Sequence, residues 1–499
     1  MSSLWNRRSV AALLLLGGLA ACDEPVPLPP PDGGGGGGTP IVISSQFPAA
    51  DALLAPYGQP VTAVSSQPLN ASTATVSNFL ITEDPGAVDV SRRILVIGGT
   101  TLQATATLLP SMTYHATITR GLQSTTGSVV EAPVTWTFKT RSIAAFPLAS
   151  GTSFFGHLSL ARDSIGGLHA VYADSVNGDL YYAECAGSCA VSTSWTPLAL
   201  DTVGTIGSSS AIGVDATGRV HIVYRSDRLQ TLQYATCLTA CTTLTSWATA
   251  TVDSSSSLIG INPSIAVTGG GAVHAAYYDG INKFIVYARC LSACALNGAW
   301  QTGTPDTGPF VGRSSAIVVD GVTRHIVYQD SGGRNLKYAT CATNCVGSDP
   351  WTVGAVSALD AGQDPAIALG PNGILAVTYF GLAADGITPR VRYASCASAC
   401  ITIANWTAFD LNTTGVVGQG SGVTMDANGR VQSVFLDNNL DRLRYATCSS
   451  VCTSSARWRY STVDEGIGLA RSPVLVPGRD GGVDLLYLAL DGTIVKFAE

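Results

Sequence analysis

One pattern of tyrosine, cysteine and tryptophan recurs six times between residues 182 and 458. In each copy a Tyr precedes a Cys by three residues, a second Cys follows in a Cys-x3-Cys spacing, and a Trp lies six residues later. The six pairs are Cys185 and Cys189, Cys237 and Cys241, Cys290 and Cys294, Cys341 and Cys345, Cys396 and Cys400, and Cys448 and Cys452. Successive first cysteines lie 52, 53, 51, 55 and 52 residues apart. A fixed period of this kind indicates that one structural unit is repeated and packs on its neighbours.

Each of these six repeats contains four short strand patterns, and a seventh, incomplete copy follows them. In the second copy they are SSAIGVD, RVHIVYRSD, TLQYATC and SWATATVD, and we name these positions strands a to d. Four-stranded units of this length are typical of propeller blades, so the sequence predicts a seven-bladed β-propeller over residues 142–499. The seventh copy has three strand patterns and lacks the Cys pair and the Trp. We expect residues 142–150 to supply its fourth strand, because an open edge would pair with other chains.

The cysteine count separates Cys22 from the repeats. Thirteen cysteines form six pairs and leave Cys22 alone. Paired cysteines outside the cytosol predict disulfides and an oxidising compartment. The alternative is a zinc site, but each pair would need two further ligands, and no repeat has a second pair of Cys or His. The sequence therefore predicts six disulfides, each within one Cys-x3-Cys pair.

The N-terminus is typical of an exported protein. Arg7 and Arg8 precede a short apolar run, and Leu-Ala-Ala-Cys22 follows. This end resembles the lipobox of bacterial lipoproteins, which implies that Cys22 is lipidated and that residues 1–22 form the signal segment. An ordinary signal peptide is the alternative. Residues 23–40, DEPVPLPPPDGGGGGGTP, predict a tether. We expect a protein anchored to the bacterial cell envelope through its lipid, at the outer membrane or cell surface rather than the inner membrane.

Residues 41–141 alternate in hydrophobicity with a period of two and predict short strands. The segments SSQPLNASTATVSNFLI, LLPSMTYHATI and TWTFKT resemble the bacterial Ig-like domain of S-layer and other surface proteins. The resemblance implies a β-sandwich that acts as a spacer or adhesion module and carries no catalytic residues. Tyr114 and Trp136 are expected in its core. The fold class is thus all-β, an Ig-like sandwich followed by a propeller.

Charge and composition limit the kinds of molecule that this protein can be expected to bind. Charged residues make up 12% of the chain, the formal net charge is −7, and no basic run is present. Nucleic acid is therefore excluded as an expected partner. No cofactor and no metal site is predicted. Four repeats carry His-x-x-Tyr on strand b, beginning at His169, His221, His274 and His325. We expect these histidines to bond to the backbone or a hydroxyl of a neighbouring blade, and the alternative is a ring of imidazoles that faces the channel and binds a transition metal.

Candidate binding residues lie at the start of strand a, which lines the channel of a propeller. Aligned on a glycine, these positions differ between repeats, as a site for an asymmetric ligand requires. They are His157, Asn262, Arg313, Asp364, Gln419 and Arg471. Two guanidinium groups, a carboxylate and amides could bind a sugar, a carboxylate or a peptide. The alternative is that they only solvate the channel entrance.

The phrase D-x-x-G-x-x-H-x-x-Y, as in residues 215–224, resembles the repeats of sialidase-like propellers. That resemblance implies a glycoside hydrolase or lyase. The chain departs from that family because S-x-D-x-G-x-T-W is absent and only Arg313 and Arg471 lie near the expected mouth. The sequence therefore predicts a protein that binds a glycan, peptide or envelope protein, with the hydrolase or lyase and a purely structural envelope component as alternatives.

Overall fold

A computed structural model describes residues 39–85, 88–150, 154–174, 177–203, 206–358, 362–383, 385–411, 417–437, 439–449, 451–467, 471–489 and 493–499. Residues 1–22, with the expected lipidation site Cys22, and nearly all of the tether lie outside these ranges. The described residues form an all-β structure with short 3₁₀ turns. The turns are Ala71–Thr73, Ser192–Ser194, Leu244–Ser246, Pro371–Gly373, Ile403–Asn405 and Ser455–Arg457. In the part of the chain that is described, no helix has the length and apolar character to cross a membrane.

Two sheets form an N-terminal sandwich. The first has the order β1-β3-β7-β6 and the second β2-β9-β8-β4-β5. Their bounds are β1 Ile43–Phe47, β2 Ala52–Ala55, β3 Val61–Ser65, β4 Phe79–Asp84, β5 Val88–Asp89, β6 Ser91–Ile97, β7 Thr101–Ala106, β8 Thr113–Ile118 and β9 Val134–Thr140. Alternate residues of β3, β7 and β8 are buried, which is the period of a strand with one face in the core. Tyr114 and Trp136 are both buried there, as predicted.

Seven four-stranded antiparallel units follow, with the order a-b-c-d from the inside outwards, and units 1 and 2 are joined into one eight-stranded sheet by a single parallel pair between their strands a. Unit 1 is β11 Phe154–Arg162, β12 Leu168–Asp174, β13 Asp179–Cys185 and β14 Thr196–Asp201. Unit 2 is β15 Ile206–Val214, β16 Val220–Ser226, β17 Thr231–Cys237 and β18 Ala248–Asp253. Unit 3 is β19 Ile261–Val267, β20 Val273–Asp279, β21 Phe284–Cys290 and β22 Gln301–Asp306. Unit 4 is β23 Val311–Asp320, β24 Thr323–Asp330, β25 Asn335–Cys341 and β26 Thr352–Ser357.

The remaining units repeat this order. Unit 5 is β27 Gln363–Leu369, β28 Leu375–Leu382, β29 Pro389–Cys396 and β30 Thr407–Asp410. Unit 6 is β31 Val417–Met425, β32 Val431–Asp437, β33 Arg442–Cys448 and β34 Arg459–Glu465. Unit 7 is β35 Arg471–Pro477, β36 Val483–Ala489, β37 Ile494–Ala498 and, as its outer strand, β10 Ala145–Ser150. Strand β10 pairs antiparallel with β37, so the outer strand of the last unit comes from the segment before the first.

The innermost strands contact one another in cyclic order. β11 contacts β15, the contacts continue through β19, β23, β27 and β31 to β35, and β35 contacts β11. The middle strands are buried along their whole length in several units, for example β16 and β32. Such strands are covered on both faces, because each unit packs between two neighbours.

All six predicted disulfides are present, one in each of the first six units. Each follows strand c and closes the short turn that leads towards strand d. The bonds join Cys185 to Cys189, Cys237 to Cys241, Cys290 to Cys294, Cys341 to Cys345, Cys396 to Cys400 and Cys448 to Cys452. The prediction of disulfides over zinc ligands is therefore confirmed for every pair.

The repeated Trp and Tyr residues join consecutive units. In five units the Trp indole N–H donates to the carbonyl of the Cys six residues earlier, as Trp406 does to Cys400 at 2.7 Å. Five of the six Trp rings pack edge-on against the strand-c Tyr of the preceding unit, with centroids 4.9–5.8 Å apart. The fixed spacing of these residues thus serves a contact that nearly every unit makes.

Unit 7 has no Trp, and the N-terminal sandwich supplies the missing ring. Tyr57 is fully buried and packs edge-on against the strand-c Tyr445 of unit 6, with centroids 5.9 Å apart. Arg430 donates to the Tyr57 carbonyl at 3.0 Å, and the backbone N–H of Val483 donates to the Tyr57 hydroxyl at 3.3 Å. The Arg459 guanidinium of unit 6 pairs with Glu83 of the sandwich. The sandwich and units 6 and 7 therefore share one apolar cluster.

Candidate functional site

Every innermost strand is irregular near its start. The register with strand b shifts within a few residues of the start in all seven units. Such a bulge leaves residues unpaired and turns them away from the ladder. Asn262 and Asp364 adopt φ values of 48° and 44°, a region that Asn and Asp tolerate better than other side chains. Non-glycine residues held in this region are common at functional sites.

The pairing with strand b shows where the predicted residues lie. Ser159, Ala211, Ser264, Ala316, Ala366, Gly422 and Val474 occupy equivalent positions, each paired with the residue before the aromatic residue of strand b. His157, Asn262 and Asp364 lie two residues before these positions, whereas Arg313, Gln419 and Arg471 lie three before. Alignment on the glycine had placed all six at one level. They occupy two adjacent levels because Arg313 directly follows its glycine, whereas Asn262 and Asp364 lie two residues after Gly260 and Gly362.

The structure brings Asn262, Arg313 and Asp364 together at the start of units 3 to 5. They line a pocket of about 310 Å³ with Ser314, Gln329 and Gln363. The side chains of His157, Gln419 and Arg471 lie outside what the structure describes, although their backbones start β11, β31 and β35 at the same end. Half of the predicted set therefore converges on one polar pocket.

We call this pocket, lined by Asn262, Arg313, Ser314, Gln329, Gln363 and Asp364, the mouth pocket. A chain of hydrogen bonds fixes the backbone around it. The Ser209 hydroxyl donates to Asn262 Oδ1 at 3.0 Å, and Asn262 Nδ2 donates to the Arg313 carbonyl at 2.8 Å. In the next unit the backbone N–H of Asp364 donates to Ser314 Oγ at 3.1 Å. These bonds link units 2, 3, 4 and 5, so that the pocket is held in shape without using the charged ends of Arg313 and Asp364.

Those two charged groups are free of protein partners among the described residues. Arg313 is exposed and Asp364 is half-buried, and neither side chain forms a hydrogen bond or an ion pair. A guanidinium offers only donors and a carboxylate only acceptors. The pocket therefore presents a donor and an acceptor to whatever enters it, and the amide of Gln329 adds a group that can do both.

Sequence reasoning missed Gln329 and Gln363. Gln329 directly follows the aromatic residue of strand b, a position that holds Ala173, Arg225, Tyr278, Gln329, Phe380, Leu436 and Leu488 in units 1 to 7. The variation at this position could have indicated that Gln329 lines a binding site, because a position that serves only packing would hold similar side chains. Tyr278 at this position lies near Arg313, whose charge lowers the Tyr278 pKa, although burial has the larger effect and raises it overall.

A second cavity continues from the mouth into the centre of the ring of inner strands. Its volume is about 530 Å³, and residues of all seven inner strands line it. Asn262, Ser314 and Asp364 line both this cavity and the mouth pocket. The pair of cavities lies in the size range of small-molecule sites.

The four strand-b histidines bond within their own sheets and not, as the sequence had led us to expect, to a neighbouring unit. Each imidazole Nδ1 lies 2.6–2.7 Å from the strand-c Tyr hydroxyl of the same unit. Burial lowers the pKa of His169, His221 and His325, and it lowers the pKa of His274 to about 4 with help from nearby Arg324 and Arg289. Among the described residues no group of three His, Cys, Asp or Glu side chains is arranged to hold a metal ion.

The strand-b tyrosines also have a structural role. Tyr224, Tyr277, Tyr328 and Tyr487 each donate to an Asp of the preceding unit, at distances of 2.5–3.1 Å. Burial is the main cause that raises the pKa of Tyr277, and the charge of Asp253 adds to the effect. The repeated His-x-x-Tyr phrase therefore stabilises contacts within and between units and does not line the mouth pocket.

Comparison with known families identifies the N-terminal sandwich. Residues 37–140 match the family described as bacterial Ig-like domain. The sandwich is a bacterial Ig-like domain. Its contact with units 6 and 7 through Tyr57 means that this Ig-like domain is packed on the repeats. No curated protein matches the chain.

Several solved structures are similar to the chain at low identity. A polysaccharide lyase, an ulvan lyase bound to -[GlcA(1-4)Rha3S]-, is 9% identical with a TM-score of 0.47, over 70% of this chain and 93% of that one. An α-L-arabinanase from Penicillium chrysogenum complexed with arabinobiose is 11% identical with a TM-score of 0.43, over 72% and 96%. The Aleuria aurantia lectin in complex with Fucα1-6GlcNAc is 13% identical with a TM-score of 0.39, over 64% and 97%. Similarities at this level carry no argument about the ligand of this chain.

Proposed function

We propose that this protein is a lipid-anchored envelope protein whose repeat units form a seven-bladed β-propeller that binds a glycan at its mouth. Cys22 carries the lipid, residues 23–40 form the tether, residues 41–141 are the Ig-like spacer and residues 142–499 the propeller. The seven four-stranded units, their cyclic contacts and the pairing of β10 with β37 support the propeller. The six disulfides support export to an oxidising compartment.

One observation carries the proposed binding function. The mouth pocket combines the unpaired charges of Arg313 and Asp364 with the amides of Asn262, Gln329 and Gln363. Asp364 is half-buried without a hydrogen-bond partner among the described residues, which is costly, and a ligand that donates to it offsets that cost. These groups also come from different units and are not repeated around the ring. This asymmetry is expected of a ligand site and not of a structural contact.

The same geometry favours binding over the two alternatives. Glycoside hydrolysis requires a pair of carboxylates or an equivalent nucleophile. Among the described residues that line the mouth pocket, Asp364 is the sole carboxylate and no Tyr is present. A purely structural component would need no cavity at its centre, yet a cavity of about 530 Å³ lies below the mouth. A binding protein is therefore the function we propose.

The test is binding of the full chain, with its disulfides intact, to a broad glycan array. We expect selective binding by the wild type and its loss in a double variant with Arg313→Ala and Asp364→Ala. The matched control is Arg457→Ala, because Arg457 is exposed in the c-to-d loop at the opposite end of unit 6. Equal loss in the control would refute the mouth as the site, and an array without binding would refute the glycan proposal.

A further inference from the structure

The mouth pocket balances one positive charge against one negative charge. Arg313 and Asp364 both line it, and the other lining groups are amides and a hydroxyl. A carboxylate or sulfate that pairs with Arg313 would also meet the charge of Asp364. A cation that pairs with Asp364 would meet Arg313 in the same way. The pocket therefore favours a ligand without net charge.

The hydrogen-bonding groups of the pocket further restrict the chemical class of this ligand. Arg313 can only donate, Asp364 can only accept, and the amide of Gln329 can do both. A sugar hydroxyl donates one hydrogen bond and accepts others. A neutral sugar can therefore donate from one hydroxyl to Asp364 and accept from Arg313 at another, which neither a hydrocarbon nor a simple ion can do.

The central cavity continues this pattern with hydroxyls and apolar groups in alternation. The position that directly follows Asn262 in unit 3, and its equivalents on the other inner strands, carry Ser in units 2, 4 and 6 and Leu or Pro in the others. The serines are Ser210, Ser315 and Ser421, and their hydroxyls bond to no protein atom in the described structure. Ser210 is 2% exposed and Ser421 is 8% exposed. Each hydroxyl oxygen is itself buried, so bonding to a ligand in the cavity requires rotation about the Cα–Cβ bond to another staggered rotamer.

We infer that the ligand is the neutral end of a glycan, with its terminal sugar in the central cavity and the next sugar between Arg313 and Asp364. The three serine hydroxyls bond to the hydroxyls of the terminal sugar, while its C–H faces contact the Leu and Pro side chains. This inference rests on the proposed function and adds the class of sugar and the depth of its binding.

The test compares neutral oligosaccharides with uronic-acid and sulfated counterparts of the same length by titration calorimetry of the full chain. The neutral compounds should bind at least about tenfold more tightly, which is the effect of about 1.4 kcal/mol. A triple variant with Ser210→Ala, Ser315→Ala and Ser421→Ala should weaken binding of the neutral ligand by about tenfold or more. Its thermal stability should not fall, because alanine replaces hydroxyls that make no protein hydrogen bond. Ser433→Ala is the matched control, since its hydroxyl is also buried and unbonded but lies on β32 of unit 6, a strand that does not line the cavity.

The outcomes separate the two proposals. If the wild type binds no sugar, the proposed function fails. If it binds acidic glycans as tightly as neutral ones, the function stands and the inference about charge is wrong. If the triple serine variant binds as the wild type does, the ligand stays at the mouth, and its insertion into the central cavity is wrong. Weakening in the triple variant but not in Ser433→Ala, with preference for neutral sugars, supports the inference.

Discussion

The His274 imidazole should make stability depend on pH between 6.5 and 4. It is 2% exposed, lies 2.7 Å from the Tyr287 hydroxyl and faces Arg324 and Arg289, and its pKa is lowered to about 4. The unfolded chain binds a proton at His274 near pH 6.5, and the folded chain binds it only near pH 4. Between these values the unfolded state holds more protons. Stability therefore falls as the pH falls, by about 2–3 kcal/mol at pH 4.5 and by about 3 kcal/mol at the limit.

Unit 6 provides the substitution that tests this reasoning. There Gln432 occupies the place of the His and donates to the Tyr445 hydroxyl at 3.0 Å. His274→Gln should keep the bond to Tyr287 and remove the titrating group. We expect the loss of unfolding free energy between pH 7.5 and 4.5, measured by urea denaturation, to be smaller in His274→Gln by about 2–3 kcal/mol. An identical loss in wild type and variant would show that His274 does not titrate as its burial requires.

Two further predictions concern the contacts that hold the units together. Tyr57→Ala should destabilise the protein by about 3–5 kcal/mol, because it leaves a cavity between the Ig-like domain and Tyr445. Thermal unfolding measures this loss. The control is Leu53→Ala, because Leu53 is exposed. An unchanged melting temperature would mean that the interface does not form. Replacing Cys290 and Cys294 together by Ser should cost about 2 kcal/mol, since their disulfide closes a very short loop, and urea denaturation under oxidising conditions tests this. A cost above about 5 kcal/mol would show that the bond does more than constrain the unfolded chain.

The repeats could be predicted because their contacts recur at fixed positions. The Trp indole bonds to the second Cys of its own unit and its ring packs on the Tyr of the preceding unit, so each unit needs the same residues at the same spacing. The disulfides were predicted for the same reason and are confirmed. A contact that is made in nearly every unit leaves a periodic trace in the sequence.

The mouth was predicted only in part because its geometry depends on the bulges. Gly260, Gly312 and Gly362 share positive φ values and guided the alignment. In units 3 and 5 the predicted residues, Asn262 and Asp364, lie two positions after the glycine and themselves take a positive φ, whereas in unit 4 Arg313 directly follows Gly312. The contact between the Ig-like domain and units 6 and 7 could not be predicted either, because Tyr57 is a single residue in a different segment and leaves no periodic trace.

The position of Tyr57 has a consequence for how an incomplete chain would behave. Strand β10 has its pairing partner only in β37, which lies more than 340 residues later. Tyr445 is covered by Tyr57 together with the apolar residues around Val483 and Leu485. A chain that stops before β35 would present an unpaired strand edge beside an uncovered apolar face, the features that promote aggregation and proteolysis. The edge of β10 and the apolar face around Tyr57 are therefore covered only when units 6 and 7, which lie far later in the sequence, have folded.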